Sequence, residues 1–132
     1  MELIVTLPGD KKVNATYNGY TIQTDQPIQA GGSATSPAPF DLFLASIGTC
    51  AGIYIQGFCS SRGIPANDIK IVQRMNYNNE KRLVDNIELE IQLPYNFPDK
   101  YKDAVINAAE LCAVKKHLQN PPSFKIHTST MN

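Results

Sequence analysis

The sequence predicts an α+β domain built on antiparallel strands, and three observations carry that prediction. Short β-type runs separated by turn residues fill the first 25 positions, with the dipeptide Asn18-Gly19 between two alternating segments. A long, predominantly apolar stretch at residues 39–62 follows, too long for a strand and suited to a helix. Beyond it, Ile87, Leu89, Ile91 and Leu93 alternate with Glu88, Glu90 and Gln92, the pattern of a sheet with one buried and one wet face. Strands and helices do not alternate as crossover units, which excludes a parallel α/β sheet. At 132 residues with no compositional break, the chain reads as a single domain over 1–132.

Leu3-Ile4-Val5 opens the first strand, residues 12–17 form the second and residues 20–24 the third. Asn and Gly both accept the positive φ that a two-residue hairpin turn demands, so Asn18-Gly19 joins the last two as neighbours. Residues 26–39 are rich in Gly, Ser, Ala, Thr and Pro and read as a surface loop. Pro39 suits a first helical turn, Asp41 complements the positive end, and Gly63 follows the expected end near Arg62. Within this helix Leu42, Phe43, Ile47, Ile53 and Phe58 cover nearly every face, which predicts burial all round. Two strands at 68–77 and 82–93 follow, joined by a polar turn. Pro98-Asp99 then opens a second helix with Tyr101, Val105, Ala108 and Cys112 at helical spacing, continuing or restarting until Pro121-Pro122. Residues 123–128 read as a last strand.

Twelve basic and twelve acidic side chains cancel, and no basic stripe interleaves with aromatics, so neither nucleic acid nor an anionic membrane is expected as a partner. The start MELIVTLPGDKK lacks a basic leader with a hydrophobic segment, which points to a cytoplasmic protein. Ser46, Thr49, Gln56 and three glycines interrupt the long helix and favour a buried soluble helix over a membrane span.

Cys50, Cys59 and Cys112 include no C-x-x-C, which argues against a thioredoxin-like site or a zinc ribbon. Nine residues turn Cys59 to the opposite face of the helix from Cys50, roughly 13 Å along it and out of disulfide reach, so Cys59 reads as a packing residue. Gly48 and Gly52 bracket Cys50, and each glycine inside a helix costs about 1 kcal/mol, so the pair implies close packing. That packing is either within the chain or against a second copy across a dimer axis. Were a new helical turn to begin after Leu111, its free amides would lower the thiol pKa of Cys112. Cys112 and His117, five apart, share no helix face well, and no metal or cofactor is expected.

The run SPAPFDLFLASIGTC at 36–50 resembles the P-x-P-x-E-L-x-L-A-A-x-x-x-C signature of the OsmC/Ohr superfamily. LCAVKKHL at 111–118 resembles its second cysteine motif, with Ala113 in place of the usual proline. The resemblance implies an intertwined homodimer in which antiparallel sheets wrap around long central helices and two sites lie at the interface. It also implies that Cys50 attacks an organic hydroperoxide to give a sulfenic acid, and that Cys112 resolves it as a disulfide. An external dithiol such as dihydrolipoamide would restore the pair, a chemistry that serves oxidative and osmotic stress protection.

Only a thiolate attacks the O–O bond and apolar surroundings raise a thiol pKa, so this chemistry asks for a cation near Cys50. The N-terminal arginine and its partner glutamate that the resemblance leads one to expect are missing: Arg62 is the first arginine, and Phe40 stands at the glutamate position. Arg74 and Arg82, from either subunit, are the candidate cations, and Asp41 is the candidate carboxylate. Two functions remain open: a thiol peroxidase, or a dimer that binds a small apolar ligand or senses redox state without peroxidase turnover.

Overall fold

The computed structural model of the chain describes residues 1–131, which fall into two compact units, 1–46 and 47–131, with their boundary inside the long helix. The element order is β1 (Ile4–Gly9), β2 (Lys12–Tyr17), β3 (Tyr20–Thr24), α1 (Pro39–Ser60), β4 (Lys70–Asn78), β5 (Leu83–Gln92), α2 (Lys102–Glu110) and α3 (Ala113–Gln119). This is an α+β chain with antiparallel sheets, as its pattern predicts.

In the first unit β1, β2 and β3 form a three-stranded antiparallel sheet in sequence order. Asn18 and Gly19 take φ of 50° and 80°, and Tyr17 pairs with Tyr20 across them. That is the mirror-image turn whose twist matches the flanking strands. The loop after β3 is organised around the buried carboxylate of Asp25. It accepts hydrogen bonds from the Thr35 hydroxyl at 2.7 Å and from the amides of Gln26, Thr35 and Ser33 at 2.8, 3.1 and 3.5 Å. These donors, the Thr35 hydroxyl foremost, hold the Asp25 carboxyl far below the ordinary carboxylate range. Asp25 thereby closes the loop that leads into α1. The helix itself starts at Pro39, where a missing N–H costs nothing, and the Asp41 carboxylate accepts from the Ala38 amide at 3.0 Å.

In the second unit β4 and β5 form a two-stranded antiparallel ribbon, Ile71 paired with Ile91 and Met75 with Ile87. The core beside it gathers Ile55, Cys59, Phe97 and Val105, with Ile64, Ile69, Ile71 and Leu93 partly buried against them. Full burial of one such aliphatic side chain contributes about 2 kcal/mol, and Val105 is 1% exposed.

Two expectations are not met within one copy of the chain. Helix α1 is not buried all round: its buried residues Ile47, Ala51, Ile55 and Cys59 fall at intervals of four on one stripe, while Phe40, Phe43, Ile53 and Tyr54 stay exposed. One ribbon and two short helices offer cover for one face of a helix that is apolar on every face. Residues 123–128 form no strand either; Phe124 and Ile126 are 85% and 94% exposed. The alternation there is real, but a strand needs a neighbour for its backbone groups, and the described residues supply none.

The glycine stripe is explained within the chain. A Cβ at Gly48 would stand 2.7 Å from Oε1 of Gln73, and one at Gly52 would stand 3.6 Å from Cδ1 of Ile71, so both glycines admit β4. By length and composition α1 is also apolar enough to cross a membrane.

Candidate active site

The site is made by a break in the second half of the chain. Helix α2 ends at Glu110; the amides of Leu111 and Cys112 close its last turn on the carbonyls of Ala108 and Ala109 at 3.1 and 3.4 Å. Cys112 then leaves helical geometry, with φ −50° and ψ 125°, and caps α3. Its carbonyl accepts the first helical bond, from Lys116 at 3.1 Å. The amides of Ala113 and Val114 at the start of a helix have no acceptor one turn back, so they are free for another group.

That group is Cys50. The Val114 amide, the thiol of Cys112 and the Ala113 amide all donate to its sulfur and hold the thiol below its ordinary value, in that order of effect. Cys112 behaves in the opposite way. It is 2% exposed, and burial pushes its thiol up, with the hydrogen bond it gives to Cys50 adding to the shift. Its Sγ also lies 4.0 Å from the Ile47 carbonyl oxygen. Both cysteines carry free thiols, Cys50 half-buried and Cys112 buried.

The new helical turn after Leu111 therefore exists, but its amides act chiefly on the other cysteine: the expectation that they would lower Cys112 is corrected, because burial outweighs the Lys115 and Val114 amides there. Within one copy, neither candidate cation is among the groups that shift the Cys50 thiol. Arg74 on β4 bridges Glu88 and Glu90 of β5 at 3.2 and 3.3 Å, and Arg82 sits at the hairpin turn with φ 57°. Asp41 is engaged at the start of α1 by the Ala38 amide. Hydrogen-bond donors, not a cation, lower the Cys50 thiol among the described residues. Sequence reasoning missed these two amides as partners of Cys50, since a backbone N–H has no residue-type signature and only the helix break hinted at it.

Cys59 is separate from this pair. It is 0% exposed in the core and its thiol is pushed up by burial, which Arg62 offsets only in part. Arg62 itself lies over the Phe58 ring, 3.8 Å from its centroid.

A cavity of about 380 Å³ adjoins the site, lined by Ile47, Ala51, Ile91, Val105, Ala109 and Cys112 among others. Its two lysines are both matched: Lys102 pairs with Asp99 at 2.8 Å, and Lys115 pairs with Glu110 across the helix break.

The family model of the OsmC-like proteins matches residues 31–127, a span that holds both cysteines and everything between them. The chain belongs to the OsmC-like family. No curated protein sequence matches it. Among solved structures, it is similar to a Psychrobacter arcticus protein named for osmotic stress induction and a detoxification response, at 23% identity and a TM-score of 0.73 over 86% of this chain and 85% of that one. It is also similar to the organic hydroperoxide resistance protein OhrB of Bacillus subtilis, at 19% identity and a TM-score of 0.52 over 91% and 93% of the two chains. An organic hydroperoxide resistance protein OsmC from Legionella pneumophila aligns over 89% and 88%, at 16% identity and a TM-score of 0.54. At these identities the likeness is one of fold.

Proposed function

We propose that this OsmC-like chain is a cysteine-based thiol peroxidase that reduces organic hydroperoxides. The observation that carries the reading is the asymmetry of the thiol pair: Cys50 is lowered by the Val114 amide, the Cys112 thiol and the Ala113 amide, while its neighbour Cys112 is raised by burial. In the reaction the Cys50 thiolate attacks the distal oxygen of ROOH, the O–O bond breaks, and RO⁻ leaves and takes a proton as ROH. Cys50 is then a sulfenic acid. The Cys112 sulfur attacks it, water leaves with the hydroxyl and the Cys112 proton, and a Cys50–Cys112 disulfide remains. An external dithiol returns the pair to thiols, and no metal or bound cofactor takes part. The amides take the place of an activating cation, and this makes Arg74 and Arg82 dispensable.

The working form in this reading is a cytoplasmic homodimer. What supports the dimer is the apolar surface that one copy leaves open: Ile4, Val5 and Leu7 on β1, Phe43 and Ile53 on α1, and Phe124 and Ile126 near the C-terminal end. Light scattering should then give a particle of twice 14.6 kDa.

The test is the intact mass and free-thiol count of the reduced protein after one equivalent of cumene hydroperoxide, with Cys50→Ser and Cys112→Ser in parallel. The reading expects rapid loss of two thiols as a Cys50–Cys112 disulfide, and a sulfenic acid trapped at Cys50 in Cys112→Ser. Survival of all three thiols overturns it. The cavity beside Cys112 favours a second reading in that event, a dimer that binds a small apolar ligand without turnover.

A further inference from the structure

The break between α2 and α3 is not written into the residues that form it. From Ala108 to Leu118 the chain contains no glycine and no proline, and Ala109, Glu110, Leu111, Ala113, Lys115 and Lys116 all favour helix. Local preference would run one helix through the segment. Instead Leu111 flattens to ψ 2°, Cys112 turns extended at φ −50° and ψ 125°, and α3 restarts at Ala113. That restart leaves the Ala113 and Val114 amides free for Cys50. Contacts that exist only in the broken form have to favour it over the continuous helix. The bonds to Cys50 are one such contact, and the ion pair between Glu110 and Lys115 is another.

Glu110 and Lys115 meet across the break, Nζ on Oε2. In a continuous helix, residues five apart stand roughly 140° around the axis and about 7.5 Å along it, so the two could not pair. Neither would find a substitute, because the neighbours of Glu110 on its own face would be Ala113 and Val114, and those of Lys115 would be Leu111 and Cys112. Each charge is also misplaced at its own helix end. Glu110 is the last residue of α2, beside free carbonyls that disfavour an anion, and Lys115 is in the first turn of α3, beside free amides that disfavour a cation. They are favourable together and unfavourable apart.

We propose that the Glu110–Lys115 ion pair is a positioning clamp, which stabilises the break against a continuous helix and so keeps the Ala113 and Val114 amides on the Cys50 sulfur. The proposal rests on the peroxidase reading for the use made of the Cys50 thiolate, and adds to it the pair that maintains the donors. Neither charge is among the groups that act on the Cys50 thiol directly, so the pair works through the backbone it holds. Both side chains are partly exposed, which keeps the clamp modest in strength.

The test is the pH profile of Cys50 alkylation by iodoacetamide, an uncharged reagent, in the reduced full-length protein carrying Glu110→Gln, Lys115→Met or both. Either single substitution should release the break and move the Cys50 inflection to higher pH. The reaction near neutral pH should slow by about two- to fourfold, the most that a partly exposed ion pair supports. The double variant should match the singles, because all three lack the same one contact. A charge acting through space gives a different pattern: Glu110→Gln removes an anion and would speed the reaction, Lys115→Met would slow it, and the double variant would sit at the wild-type rate. That pattern overturns the proposal. So does a profile unmoved in all three variants, whatever happens to their urea midpoints, since a pair that served stability alone would shift only the midpoint. Alkylation needs no turnover, so a protein that cumene hydroperoxide fails to oxidise overturns the peroxidase reading and not the clamp.

Discussion

Helix α1 carries two cysteines in two environments, and the contrast between its middle and its end explains why one of them is reactive. Cys59 sits near the C-terminal end among Ile55, Phe97 and Val105, sealed from solvent, and its thiol is raised. Cys50 sits in the middle, half-buried, and its thiol is lowered. Both are on one helix of one chain. The difference is what the second half of the chain brings to each: apolar side chains to Cys59, and the start of α3 to Cys50. Burial by itself protects a thiol, and donors aimed at the sulfur convert it into a nucleophile.

The largest effect should come from removing that nucleophile. Cys50→Ser is expected to reduce hydroperoxide consumption by roughly three orders of magnitude, as loss of a reacting group commonly does, measured by peroxide loss with excess dithiol. Cys59→Ser should leave turnover in place, and comparable loss in the two variants would erase the distinction between the two ends of the helix.

Ala113→Pro gives a finer cut. Ala113 is the first residue of α3 and Cys112 before it is already extended, so proline fits both the helix and the residue preceding it. The substitution removes one N–H from Cys50 and little else. Loss of one donor to the thiolate raises the thiol pKa, and since Ala113 is the last of the three donors in effect the Cys50 alkylation rate near neutral pH should fall only in part, by a few-fold. An unchanged rate would remove Ala113 from the activation and leave it to the Val114 amide and the Cys112 thiol.

Smaller effects separate packing from chemistry along the same helix. Cys59→Ala should cost about 1–2 kcal/mol in urea unfolding by leaving a small void in a closed core, with no change in the alkylation rate of Cys50. A Cβ at Gly57 meets nothing within 4 Å, so Gly57→Ala should raise stability by about 0.5–1 kcal/mol. Gly48→Ala, which would press on Gln73, should not show that gain.

Much of the frame was legible because its signals are local. Pro39 and Gly63 bracket α1 to within a few residues, Asn18-Gly19 places a hairpin, and the alternation from Ile87 to Leu93 marks β5. What failed depends on partners distant in sequence. The apolar circumference of α1 says that each face could be buried and not what covers it; residues 123–128 alternate like a strand but lack a neighbour to pair with. The cysteine pair was legible from motif resemblance, whereas its electrostatics were not. The search for a charged residue led to Arg74, which two glutamates already hold, while the groups facing Cys50 belong to the backbone of residues 113 and 114.

The central claim is that the start of α3 makes Cys50 a thiolate at lower pH than a free cysteine, and the pH dependence of its alkylation tests this most directly. A lowered pKa moves the rise in thiolate, and with it the rise in rate, to lower pH. Iodoacetamide modification of Cys50, followed by peptide mass spectrometry from acid to alkaline pH, should inflect below the free-cysteine value of about 8.5. Cys112 and Cys59 in the same samples should stay unmodified through that range, since burial raises both. A Cys50 inflection at or above the free-cysteine value would contradict the account.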